Sequence, residues 1–60
     1  MDNEPRFTEI YFDEIIRETD MAYLLAIDDE EVWLPKSQCK MTETRVVELP
    51  EWLAIEKGLV

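Results

Sequence analysis

Cys39 is the one strong nucleophile among the 60 residues, and Lys40 beside it could lower its pKa. The chain has no histidine, however, and a thiol or hydroxyl is normally activated by such a base. One cysteine and no histidine also rule out an intrachain disulfide and a zinc site with nitrogen ligands. The carboxylates Asp28, Asp29, Glu30 and Glu31 could divide acid and base roles as glycoside hydrolases do. Such pairs need a cleft and separate environments to split their pKa values, and a chain this short offers little cleft. The same run makes a poor calcium loop, lacking alternating ligands and the glycine that bends such a loop. Lys36 and Ser37, after Trp33-Leu34-Pro35, could meet an anion, but no glycine loop or helix N-terminus supports them and turn chemistry is the better reading. The expectation is a protein that binds and does not catalyse, without cofactor or metal.

Charge narrows the partners. Fifteen acids against six bases give −9. That field repels duplex nucleic acid and anionic membranes within a Debye length. The bases Arg6, Arg17, Lys36, Lys40, Arg45 and Lys57 are scattered along the chain. No apolar run nears the roughly 18 residues that span a bilayer, and Met1–Arg6 is too polar and acidic for a signal peptide. With a single free cysteine, a reducing cytoplasm is the expected compartment. The acidity serves solubility on one reading. On the other, carboxylates imitate a phosphate backbone and occupy a basic groove on another protein. The candidates are Asp28, Asp29, Glu30 and Glu31 at one turn and Asp13, Glu14, Glu18 and Asp20 near another. Trp33 and Lys36 complete the candidate surface, tryptophan being a favoured anchor at interfaces.

The elements that must position these residues read as follows. Residues 1–6 form a flexible N-terminus, and 7–60 a single β-rich domain. From Phe7 to Arg17, Thr8, Ile10, Phe12, Glu14 and Ile16 alternate onto one face; β-branched and aromatic content favours strand, although Phe12, Ile15 and Ile16 also sit at helical spacing. Met21–Ile27 is an apolar run suited to a strand buried on both sides. Asp28-Asp29 favours a reversal, and Glu31–Leu34 returns as the second half of a hairpin that Pro35 ends. Lys36-Ser37-Gln38 is a tight or single helical turn. Cys39–Met41 resumes an extended path, Thr42-Glu43-Thr44 is a connection, and Arg45–Leu49 is a strand. Pro50 opens a short helix, Gly58 ends it, and Trp52, Ile55 and Leu59 make its apolar stripe, with Trp52 in the core. The sum is a mainly β, α+β fold: a small curled antiparallel β-meander or SH3-like partial barrel of about four strands, with one short C-terminal helix.

Val32-Trp33-Leu34-Pro35-Lys36-Ser37-Gln38, followed by Leu49-Pro50-Glu51-Trp52-Leu53-Ala54 and Lys57-Gly58-Leu59, resembles a group of short bacteriophage and prophage proteins. The likeness covers roughly residues 18–60. This chain departs from that pattern with Asp29 where a glycine is usual and Cys39 in place of an aliphatic residue. The group implies origin and shared fold, not mechanism. By analogy of class, small acidic phage proteins are similar to anti-CRISPR and anti-restriction inhibitors that present carboxylates to basic grooves.

The leading expectation is therefore a phage-type protein that modulates or inhibits a basic nucleic-acid-processing enzyme by protein–protein contact. The first alternative is an accessory module of replication or recombination touching single-stranded nucleic acid through Trp33, Tyr23 and Lys36, since stacking on aromatics tolerates any sequence. The second is a structural homo-oligomer, such as a homodimer, pairing through the helix stripe or an open strand edge.

Overall fold

The computed structural model describes residues 6–60. Six strands, one 3₁₀ turn and one helix follow in order: β1 Phe7–Tyr11, β2 Glu14–Glu18, β3 Ala22–Ile27, β4 Glu30–Pro35, the turn Lys36–Gln38, β5 Lys40–Glu43, β6 Val46–Pro50 and α1 Glu51–Glu56. They form two three-stranded antiparallel sheets, ordered β1-β6-β5 and β2-β3-β4. The expected N-terminal flexibility falls on residues 1–5, outside the described ones, and on exposed Arg6.

The segment 7–17 is extended, but as two strands. At its centre the Phe12 N–H donates to the Arg45 carbonyl (3.0 Å) and the Asp13 N–H to the Ala26 carbonyl (2.7 Å), so the chain leaves one sheet and enters the other within a single peptide. Phe12 is buried at this crossing. Together with a β5 strand that pairs with β6 across a register shift between Met41 and Glu43, the crossing gives six strands where the sequence reads as about four.

The β3–β4 hairpin closes through a two-residue turn, with Ile27 opposite Glu30. Asp28 and Asp29 both have positive φ (50° and 67°), the backbone of a type I′ turn. Aspartate tolerates this region better than most residues, yet only glycine is free of its steric cost. Asp29→Gly is therefore expected to stabilise the domain by about 0.5–1 kcal/mol, visible as a raised thermal midpoint. A lowered midpoint would show that the Asp29 side chain anchors the turn. The second reversal comes later than the sequence reading places it: Thr44 and Arg45 form the turn, Arg45 with φ 64°, and β6 starts at Val46. Between β2 and β3, the Thr19 hydroxyl accepts from the N–H groups of Met21 (3.2 Å) and Ala22 (3.0 Å), a side-chain-capped turn.

The core collects Leu25 and Ile27 from β3, Val32 and Leu34 from β4, Val47 and Leu49 from β6, Phe12, and Leu53 and Ala54 from α1. Leu24 is buried on the opposite side of β3, but Ala22 and Ala26 on that side are only half-buried, so the strand is not covered on both faces as its apolar run implies.

The helix departs from expectation in its face and its start. Pro50 keeps extended backbone (φ −61°, ψ 142°), pairs with Phe7 as the last residue of β6, and precedes the first helical turn. The Glu51 N–H donates to the Arg6 carbonyl at 2.7 Å. That anchorage turns Leu53 and Ala54 inward and leaves Trp52 and Ile55 exposed, so Trp52 is not a core residue and the stripe Trp52–Ile55–Leu59 does not exist as a buried face. Leu59 does pack on the core, because the chain reverses first: Gly58 takes φ 76°, and the N–H groups of Gly58 and Leu59 return to the carbonyls of Ile55 (3.0 Å) and Ala54 (2.8 Å). Among the described residues no helix is long and apolar enough to cross a membrane.

Candidate functional site

Alternation along the strands decides what the outer face of the β2-β3-β4 sheet presents. On β4, Val32 and Leu34 face the core and Trp33 faces out, 42% exposed. Register then sets Trp33 opposite Leu24 and Leu24 opposite Arg17. A row Arg17–Leu24–Trp33 crosses three strands, its ends about 10 Å apart by strand spacing. Arg17 owes its place to the register shift between Ile15 and Arg17 in β2, which carries Ile16 out of phase. This row offers an aromatic plane, an apolar floor and a guanidinium. A planar heterocycle can stack on the first, and a phosphate or carboxylate can bind the last. A second row lies beside it, with Glu14 opposite Ala26 and Ala26 opposite Glu31. Spacing along the chain does not reveal Arg17 as a site residue; only the cross-strand register does.

Tyr23 and Lys36 do not share this face. Tyr23 points with Leu25 and Ile27 and packs against the core. Lys36 Nζ lies 4.9 Å from its ring centroid and 2.6 Å from Glu18 Oε2. The bond to Glu18 raises the Lys36 ammonium above the ordinary lysine value, against a smaller opposing effect of desolvation. The pair is exposed at the sheet's end, where such bridges contribute little to stability. Lys36 is thus occupied as a strap across β2 and β4.

The candidate acids regroup. Since β2 runs antiparallel to β3, Asp13 and Glu14 come to the end of the sheet that carries Asp28, Asp29, Glu30 and Glu31. Six carboxylates gather there, and Lys57 shares a small hollow with Asp28 and Glu30. Glu18 and Asp20 stand at the opposite end with Lys36.

Cys39 is half-buried against the core, and desolvation pushes its thiol above the ordinary value. Lys40 does not activate it. Iodoacetamide is therefore expected to label Cys39 more slowly in the folded protein than in urea at the same neutral pH; equal rates would contradict this burial. The folded state holds the thiol proton more tightly than the unfolded state. Stability therefore does not depend on this group below the unfolded thiol's ordinary value, and it falls as pH rises from there through the higher folded one.

One family matches this chain, the S1 domain, over residues 13–46, a stretch that runs from β2 through β5 and makes up more than half of the sequence. The chain belongs to the S1 domain family. No curated protein and no solved structure matches it. The S1 match contains the whole β2-β3-β4 sheet and every residue of the Arg17–Leu24–Trp33 row. Phe7 and Trp52, the other exposed aromatics near a hollow, lie outside it.

Proposed function

We propose that this S1 domain contacts single-stranded nucleic acid through the outer face of β2-β3-β4, with Trp33 stacking on a base and Arg17 meeting the backbone. The observation that carries this reading is the coincidence of the S1 match with the sheet on which Trp33 stands exposed. S1 domains are OB-type binding modules, and folds of that type bind oligonucleotides across a strand face where bases stack on aromatic side chains. Stacking needs no large positive patch, which fits a chain whose net charge is −9. It does limit the contact to few nucleotides and modest affinity, and it disfavours duplex, whose bases are already stacked. In the setting that the phage-like motifs imply, such a module serves replication or recombination as an accessory.

Both tryptophans are exposed, so intrinsic fluorescence reads the interaction directly. Titration with a single-stranded oligonucleotide at low salt should quench the emission saturably, and duplex of the same length should not. Emission unchanged up to millimolar strand would overturn the reading.

A second reading rests on the acidic end of the sheet, where Asp13, Glu14 and Asp28–Glu31 converge. There the domain modulates or inhibits a basic nucleic-acid-processing protein by offering carboxylates to its groove, the anti-CRISPR-like or anti-restriction-like role. Charge-led association of this kind weakens as salt rises. An affinity for a basic partner that is indifferent to salt would remove it.

A further inference from the structure

We infer that the Trp33 face selects guanine among the bases of a single strand, with Glu31 reading its Watson–Crick edge; the inference rests on the nucleic-acid reading of that face. Val32 and Leu34 turn to the core, so alternation along β4 sets Glu31, Trp33 and Pro35 on the outer side. Glu31 and Pro35 each stand about 7 Å from Trp33 along the strand. Pro35 carries no polar side-chain atom, and its cross-strand partner is Ala22. Glu31 is exposed, and among the described residues its carboxylate has no ion pair and no hydrogen bond. A ring stacked on Trp33 therefore meets one polar neighbour along β4, and that neighbour only accepts. The row of Glu31 continues through Ala26 to Glu14, a second exposed carboxylate. Ala26 adds a single methyl group, which leaves the space above this row open to the edge of a base. Arg17, the cation of the face, stands beyond Leu24 and not beside Glu31.

A lone acceptor beside the stacking plane sorts the bases. The Watson–Crick edge of guanine presents two adjacent donors, N1–H and the N2 amino group, which match the two oxygens of a carboxylate as the fork of an arginine does. Adenine and cytosine set their amino group beside a ring-nitrogen acceptor. Thymine and uracil set their one N–H between two carbonyls. Each of those edges turns a lone pair toward Glu31 and forms at most one bond with it, whereas guanine forms two and leaves no acceptor facing the charge. A purine also covers more of the indole than a pyrimidine does. The same carboxylates settle the orientation of the strand: Glu31 and Glu14 repel phosphate, so the backbone lies toward Arg17.

The test is a fluorescence titration of the full chain carrying Trp52→Phe, so that the emission reports Trp33 alone. The probes are short thymine strands with guanine, adenine, cytosine or thymine at one central position, at low salt. The guanine strand should bind about tenfold tighter than the other three, the discrimination given by one good bidentate pair. Glu31→Gln keeps the size of the side chain but leaves a single acceptor, and should cut that preference to about threefold or less. The all-thymine strand should bind this variant no more weakly than before, because one repelling charge is gone. Glu56→Gln removes the same charge from the helix, away from the face, and should leave the preference whole. Guanosine monophosphate should displace the guanine strand at lower concentration than cytidine monophosphate does. Displacement below the strand's own dissociation constant would assign the site to a free nucleotide and overturn the choice of a strand. Saturable binding of all four strands with equal affinity would overturn the guanine assignment and leave the single-strand reading standing. A preference that survives Glu31→Gln would overturn the role of Glu31, and binding of no strand at all would overturn both readings.

Discussion

Leu34→Ala is expected to lower the unfolding free energy by about 3 kcal/mol and to bring the domain close to unfolding at ordinary temperature. Leu34 is fully buried, on the inner face of β4 opposite Tyr23, within the one cluster that joins both sheets to the helix. Truncation removes its transfer free energy and leaves a void whose walls include β3 and β6, each held by ladders on both sides, so it closes only in part. A single core this small supplies about 3–5 kcal/mol in total, so one such loss takes most of it. The thermal midpoint should fall by about 12–24 °C, read by circular dichroism. Leu34→Met, which keeps the volume, should cost less than about 1.5 kcal/mol. A shift of only a few degrees for the alanine variant would mean that the core lies elsewhere.

Trp33→Ala should weaken single-strand binding by about tenfold to a hundredfold, the free energy of one base stacked on an aromatic side chain. Trp33→Phe should keep part of the affinity, since a smaller ring still stacks. The salt dependence gives the sharper test. A single phosphate contact at Arg17 adds only about −0.7 to the slope of log affinity against log salt. Repulsion between the strand and a −9 protein acts in the opposite sense and is screened by salt. Affinity should therefore be nearly flat, or rise, between low and moderate salt, and Arg17→Gln should make the slope more positive. A steep decline with salt would show that cations, not Trp33, govern the contact.

Much of this architecture is legible in the sequence, because each legible feature is local. The apolar run Met21–Ile27 with Asp28-Asp29 behind it specifies a hairpin, and aspartate is one of the few residues that accept the left-handed backbone the turn requires. Pro35 and Gly58 mark their boundaries through dihedral angles alone. What escapes the sequence depends on distant partners. Period-two alternation continues unbroken from Thr8 through Phe12 to Glu14, so nothing local shows that the ladder partner changes from β6 to β3 at Phe12. The helix was open to misreading because six residues are too few for periodicity to fix a face. Its orientation comes from the bond between Glu51 and Arg6, which leaves Trp52 in water. The candidate site is legible by halves. Trp33 stands out by type, but Arg17 at the far end of its row and the separation of Tyr23 and Lys36 onto other surfaces follow only from register.

The peptide between Phe12 and Asp13 has a mechanical meaning. Its two flanking amides are committed to different sheets, so neither sheet can peel away without tearing the other's ladder. Opening of one sheet at this point strains the other, and the expected result is that the domain melts as one unit. Those two amides should exchange with deuterated solvent only when the whole molecule opens, and so report its global stability, whereas the amides of the free edges can trade hydrogens through local fraying.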